Sequence, residues 1–317
     1  MNPQSDRRFA VRVVVAFALV YVIWGSTYFA IRVTLDSIPP AVSAALRFTI
    51  AGPLVLVILR LSGQRIAVPL RELRSLATIG CLLLVVGNGL VVWAEQYVTS
   101  GLAALMVATV PLWIAILGAV LPHGERLPPV GWAGVLLGLL GLSALLWPEL
   151  AAGVRAELYG VAALLVATLS WASGSLYSKR RTFTVPPLVA TGWEMLCAGI
   201  ILTLIAATTG GFAHFAPTRD ALLALAYLII LGSCVAFSAF IWLLHHVAAA
   251  KGTTYAYVNP VIAVFLGCIF LGEPFTASMA IGTPIIIAAV ALVTSAKIGA
   301  VRAPANDSRA ASARTAA

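Results

Sequence analysis

Ten stretches of about twenty mostly apolar residues follow one another down the chain, at roughly 12–32, 39–61, 75–94, 100–121, 129–147, 158–178, 186–208, 221–243, 253–271 and 276–296. At 1.5 Å per residue, about 20 residues of helix cross the roughly 30 Å of a bilayer's hydrocarbon. An unpaired backbone N–H or C=O is too costly in lipid, and runs this long and this apolar satisfy that demand as helices. Apolar residues make up 61% of the chain and charged residues only 10%, where soluble domains carry about a quarter. The expected fold is therefore an all-α polytopic membrane protein with ten transmembrane helices.

A formal net charge of +9 raises the question of a nucleic-acid partner, and the placement of the charges answers it. With the N-terminus in the cytoplasm, the cytoplasmic loops and both tails hold sixteen of the twenty basic residues: Arg7, Arg8, Arg12, Arg60, Arg65, Arg71, Arg74, Arg126, Lys179, Arg180, Arg181, Lys251, Lys297, Arg302, Arg309 and Arg314. The outer loops and span ends keep Arg32, Arg155 and Arg219, and Arg47 lies within a span. This bias is the positive-inside signature and predicts both termini in the cytoplasm. No basic cluster is interleaved with aromatics on one solvated face, so no nucleic-acid partner is expected. Cys81, Cys197, Cys234 and Cys268 all fall inside spans without metal or redox spacing and read as packing residues. Residues 1–11 form a short cytoplasmic tail, too short for a signal peptide's leading region given the long apolar run behind it. The terminal stretch 297–317 is low in complexity and is expected to be disordered.

The two halves resemble each other. "WGSTYFAIR" at 24–32 aligns with "WASGSLYSK" at 171–179, and "PPAVSAALRFTIAG" at 39–52 with "PPLVATGWEMLCAG" at 186–199, both displaced by 147 positions. Trp93, Val98, Pro111 and Gly118 align with Trp242, Val247, Pro260 and Gly267 at a displacement of 149, and Gly124-Glu125 with Gly272-Glu273. The repeats cover 12–148 and 158–296. Each holds five helices, and an odd number makes the second copy enter the membrane from the opposite face. Two inverted halves can expose one central site to either side by rocking against each other.

These paired segments, together with "YVNPVIAVFLGCIFLGEPF" near the C-terminus, resemble the EamA-type transporters of the drug/metabolite transporter superfamily. The resemblance runs over about 12–296 and implies an inner-membrane exporter of amino acids or other small metabolites. It implies little about the cargo, since that superfamily also handles sugars, nucleotide precursors and drugs.

Arg47 and its repeat counterpart Glu194 place a positive and a negative residue at equivalent positions of the two halves. Each lies seven residues inside its helix, about 10 Å below its own membrane face, so the two flank the midplane on opposite sides. A charge facing lipid costs about 2.5–3.5 kcal/mol on insertion scales, which directs both inward. Two readings fit. In the first, Arg47 receives a substrate carboxylate while Glu194 takes an amine or a coupling proton. In the second, the two side chains neutralise each other, or Arg47 is tied to backbone carbonyls. Glu95, in "WAEQY", is a second proton-coupling candidate, although its position at the outer end of the third span suits a wetted carboxylate.

Pro111 and Pro260 fall near the middle of the fourth and ninth spans, where each removes a backbone hydrogen bond and kinks its helix. Interrupted helices at matching places in two halves are a pointer to a transporter's binding site. The carbonyls freed would be near Val107 and Ala256, and Tyr255, Tyr257 and Asn259 surround the second kink. Trp24 and Trp171, matched on the first and sixth spans, stack on cargo or pack helices; Asn88, between Gly87 and Gly89, is a buried amide that needs a partner.

No Walker loop, GxSxG or zinc-hydrolase motif is present, so neither an enzyme nor a cofactor or metal is expected. The sequence points to a monomeric or homodimeric secondary transporter, embedded in membrane lipid, that exports small polar or zwitterionic metabolites with protons as the coupling ion. The rivals are a sugar-phosphate or nucleotide-sugar exchanger, which would need several basic residues in its cavity where only Arg47 is expected, a drug efflux protein, a lipid-modifying membrane enzyme, and a non-transporting assembly or sensor protein.

Overall fold

A computed structural model describes residues 3–120, 127–152, 155–246 and 255–302. Ten helical segments follow in order: α1 (Pro3–Leu35), α2 (Pro40–Leu61), α3 (Leu70–Ala94), α4 (Ser100–Val120), α5 (Pro129–Ala152), α6 (Arg155–Lys179), α7 (Pro187–Thr208), α8 (Arg219–Leu243, its helix continuing to His246), α9 (Tyr255–Phe270) and α10 (Ala277–Arg302). Nine of the described helices are long and apolar enough to cross a membrane, and α9 adds a shorter apolar helix, Val258–Phe270. The helix starts follow from local chemistry. Pro40 and Pro187 open α2 and α7 at positions where no N–H is needed, and the hydroxyls of Thr99 and Thr218 accept from the N–H groups of Leu102 (3.2 Å) and Ala221 (3.3 Å) at the starts of α4 and α8.

Three departures from the expected spans stand out. Helix α1 begins at Pro3 rather than near 12, and α10 runs on to Arg302, so the inner ends of both expected tails are helical. Helix α4 is interrupted at Ala108–Thr109, just before Pro111, whereas α9 continues unbroken through Pro260. The expected pair of matched proline breaks is therefore one-sided over the described residues, since Pro260 sits only five residues from the start of α9. The matched irregularity lies elsewhere. Helix α3 widens to i→i+5 winding over Cys81–Asn88, and α8 does the same over Leu228–Val235, each position displaced by 147. Wide turns of this kind inside helices recur at functional sites.

Packing carries the repeat into three dimensions. The first helix of repeat one, α1, lies against α8 and α9 of repeat two, while α6, the first helix of repeat two, lies against α3 and α4 of repeat one. The equivalent helices α2 and α7 pack on each other, as do α5 and α10. Small residues bring these backbones together, as is common between membrane helices. A Cβ on Gly52 would fall 2.6 Å from the backbone nitrogen of Leu196. One on Gly282 would fall 3.1 Å from the carbonyl oxygen of Gly141. Large apolar side chains such as Val14, Leu136 and Phe265 cover the outside of the bundle, where lipid would surround them.

Gly52→Ala is expected to destabilise the protein by about 1–3 kcal/mol, because the added methyl meets backbone that no rotamer change can clear. Gly118→Ala, with no atom within 4 Å of the new Cβ, is expected to be neutral or slightly stabilising in the same detergent melt, the gain being the better helix propensity of Ala.

Candidate functional site

A cavity of about 750 Å³ lies between the halves, walled by α1, α2, α3, α4, α6, α8, α9 and α10. At one end it stops beneath Ile31, Val91 and Ala104, behind which Ala94, Glu95 and Ser100 are fully buried. In the other direction it extends to the exposed Lys179 and to Thr294 near the C-terminal end of α10. The structure thus closes the end of the bundle that holds the α3–α4 and α9–α10 turns.

Arg47 is buried in this wall, 5% exposed. Its Nε donates to Ser233 Oγ at 2.9 Å, within the wide segment of α8, and its guanidinium lies 5.1 Å from the centroid of the neighbouring Phe48 ring. Its Nη1 has no hydrogen-bond partner. A buried guanidinium with an unmet N–H is costly unless a ligand or water completes it, so Arg47 is oriented by Ser233 and keeps a donor that its own scaffold does not satisfy. The absence of a side chain at Gly232 leaves room for the same group, since a Cβ there would lie 3.4 Å from Nη2.

The aromatic wall is built by the helices that pack around α1. Trp24 donates Nε1–H to the carbonyl of Gly232 at 3.1 Å, using a backbone acceptor of the wide segment. Its ring meets Phe237, Phe240 and Tyr255 at centroid distances of 5.3, 5.0 and 5.1 Å. On the opposite side, Trp171 packs against Gly87 in the wide segment of α3, and Ser170 Oγ donates to the carbonyl of Leu82 at 2.7 Å. Asn88 closes that segment, lines the cavity and has a buried Oδ1 with no partner. The amide nitrogen of Asn259, once turned to face its neighbours, donates to the carbonyls of Tyr21 (3.3 Å) and Tyr255 (3.2 Å), so Asn259 is partly committed to its own scaffold.

Of the residues singled out from sequence, the cavity brings together Trp24, Arg47, Asn88, Pro111, Trp171, Tyr255, Asn259 and Pro260, along with Val107 and Ala256, whose carbonyls the prolines were expected to free. The side chain of Tyr257 lies outside the described residues. Glu194 is partly buried on α7 but is not in the cavity wall; its backbone packs against Gly80 of α3, and no ion pair joins it to Arg47. The mutual neutralisation weighed above is thus not the arrangement found. The glycine faces bring the α2 and α7 backbones together, while Arg47 turns to α8.

Glu95 also differs from expectation. It sits in the turn one residue past the end of α3, fully buried rather than wetted, with neither carboxyl oxygen hydrogen-bonded. Arg32 Nη1 donates to its backbone carbonyl instead. Burial, reinforced by the Glu273 carboxylate, pushes the Glu95 carboxyl above the ordinary carboxylate range, against the opposing pull of Arg32 and Arg47.

Two wall residues and one residue behind the wall were not anticipated. Tyr28 is one helical turn beyond Trp24 and could have been found by that spacing. Lys179 makes Arg47 one of two basic residues in the wall, correcting the expectation of a single one. Ser233 is a small polar residue in an apolar run, and nothing in its sequence setting marks it as the partner of Arg47.

The EamA-like transporter family matches twice, over residues 11–147 and 158–295, in agreement with the two five-helix repeats. The "Uncharacterized inner membrane transporter YedA" of Escherichia coli K12 is 40% identical over 282 residues, covering 89% of this chain and 90% of its own. The "Uncharacterized transporter YoaV" of Bacillus subtilis is 24% identical over 90% of this chain and 97% of its own. A crystal structure superposes with a TM-score of 0.62 at 24% identity, over 90% of this chain and 98% of the other, a likeness of fold. With two inverted-repeat halves, each matched by the family and enclosing one central cavity, the chain belongs to the EamA-like transporter family.

Proposed function

We propose that this chain is a secondary transporter of the inner membrane that exports small polar or zwitterionic metabolites, amino acids or related compounds, by proton-coupled alternating access with both termini in the cytoplasm. One observation carries the reading: a cavity between the halves, sealed at one end, holds a buried arginine with an unmet N–H. Arg47 would take the carboxylate of the cargo. The aromatic wall of Trp24, Phe237 and Tyr255 would hold its apolar part, and Asn88 Oδ1 would accept from its amine. The inner-membrane setting follows the apolar helices and the name of the 40%-identical relative.

Proton coupling has two candidates. Glu95 is buried without a partner and electrostatically reaches both Arg32 and Arg47, so its charge state would be felt at the cavity floor. Glu194 is the alternative, acting from outside the wall in this conformation. Lys179 supports a second cargo class, since a cation at the mouth and another in the wall would suit a phosphate-bearing metabolite in exchange.

Purified protein in proteoliposomes, screened for counterflow of amino acids and of sugar phosphates with and without an imposed pH gradient, tests the reading; counterflow of neither class would refute it. Arg47→Ala is expected to lower transport of the carboxylate cargo at least about tenfold, with Arg47→Lys between it and the parent, because an ammonium keeps the charge but loses the fork that Ser233 orients. Neutralising the proton carrier removes gradient-driven uptake while sparing counterflow, which needs no net proton movement. That split is expected for Glu95→Gln. As the Glu95 carboxyl titrates above the usual range, the parent's gradient-driven rate should fall as the pH drops below that raised value and the acid stays protonated. Loss of coupling in Glu194→Gln alone would transfer the role to Glu194.

A further inference from the structure

Among the side chains that cross between the repeats at the sealed end of the cavity, Glu273 joins the end of α9 to the start of α4. Gly272, at φ +66°, ends α9 in a left-handed turn in which the N–H of Glu273 bonds back to the carbonyl of Gly267 at 3.1 Å. This turn folds the Glu273 side chain over the last turn of α9; a Cβ on Gly267 would lie 2.3 Å from its Oε2, a space only glycine leaves open. The carboxylate then reaches the start of α4 in the other repeat. Oε1 accepts from Ser100 N at 2.8 Å, and Oε2 accepts from Ser100 Oγ at 2.9 Å and from Gly101 N at 3.2 Å. Together with the Thr99 hydroxyl on Leu102 N, it satisfies the N–H groups that the first turn of α4 leaves unpaired. An anion at a helix N-terminus is also favoured by the helix dipole. Beneath this contact Gly101 rests against Val264 of α9, and one turn further on Ala104 forms the cavity floor.

A solute entering from the sealed end between α4 and α9 would have to part them, and parting them breaks all three hydrogen bonds at once. We propose that Glu273 is the latch of this gate, a positioning residue whose contact with Ser100 and Gly101 holds the cavity shut on the side of the α3–α4 and α9–α10 turns. This rests on the alternating-access reading above. The contact joins two repeats that must move relative to each other, and it has no duty within α9 beyond the turn that aims it. The repeat counterpart Glu125 lies outside the described residues.

Side-resolved labelling tests the latch without knowledge of the cargo. In the full chain with Cys81, Cys197, Cys234 and Cys268 replaced by Ser, Ala108→Cys places one thiol in the cavity wall. Oriented membrane vesicles are exposed to a membrane-impermeant maleimide from one side and then, separately, from the other. Glu273→Gln is expected to raise the labelling rate from the latch side at least about tenfold, the loss expected for charge-assisted hydrogen bonds, with no rise from the opposite side. Ser100→Ala should give a smaller rise, and Glu273→Asp should stay nearer the parent. A rise from both sides means a loosened fold and overturns the proposal, as does an unchanged latch-side rate in Glu273→Gln. If the latch-side rate stays low in every variant and at every pH, alternating access itself fails; if counterflow is measured while Glu273→Gln still labels like the parent, only the latch fails.

Discussion

Hydrocarbon offers the peptide backbone no hydrogen-bonding partner, so every departure from regular helix within the bundle must be repaired by the protein itself. The repairs here coincide with the cavity. The wide segment of α8 gives the carbonyl of Gly232 to the Trp24 indole and places Ser233 beside the Arg47 guanidinium, while that of α3 gives the carbonyl of Leu82 to Ser170. At the break in α4, Thr109 bonds back to the carbonyl of Met106 and receives the Trp113 indole N–H. Irregular backbone is thus confined to places where side chains of the other repeat, or of the same broken helix, can meet it. Of the buried polar groups that remain unmet, Arg47 Nη1 and Asn88 Oδ1 belong to residues of the cavity wall, while the Glu95 carboxyl lies beyond its sealed end.

The same constraint explains how the two halves combine. Neither repeat encloses a chamber alone; α1 completes the second half and α6 the first, and the twin seams α2–α7 and α5–α10 hold them together through glycine contacts at backbone distance. Such seams are rigid in separation but smooth along their length, which suits two bodies that tilt about a shared axis. The tie at Glu273 is of a different kind. It consists of a few directed hydrogen bonds at the periphery, of a kind that water can replace.

Much of this architecture was legible in the sequence because it depends on quantities that sequence states directly. Span length and apolarity marked the helices, and the odd number of helices per repeat set their inversion. The cost of burying charge in lipid directed Arg47 inward, and the matched positions of Trp24 and Trp171 brought both to the cavity. What stayed hidden depends on direction and winding. Glu194 shares the repeat position of Arg47, yet equivalent positions in inverted halves are not bound to share surroundings once the two carry different side chains. The one-sided break of α4 could not be told from Pro111 and Pro260, which the sequence presents alike. Glu95 read as interfacial from its distance along α3, whereas the structure buries it completely, close enough to Glu273 of the other repeat for that carboxylate to act on it. The i→i+5 segments left no compositional mark, since "CLLLVVGN" and "LIILGSCV" would wind equally well as ordinary helix.

Those two segments carry a consequence for how the chain tolerates change in length. A wide turn takes in about one residue more than a turn of α-helix without breaking the column of hydrogen bonds, so the helical stretches on either side of it stay aimed as a regular helix one residue shorter would aim them. Deleting a single position within 81–88 or 228–235 would let the helix close into regular winding with both ends still aimed much as before. Trp93 at one end of α3, or Trp242 at one end of α8, would keep its neighbours, whereas a deletion from the regular winding on either side would swing everything beyond it by about 100°. The surplus residue, at the same place in both halves, therefore marks where each repeat can shorten while its two ends still face a common interior.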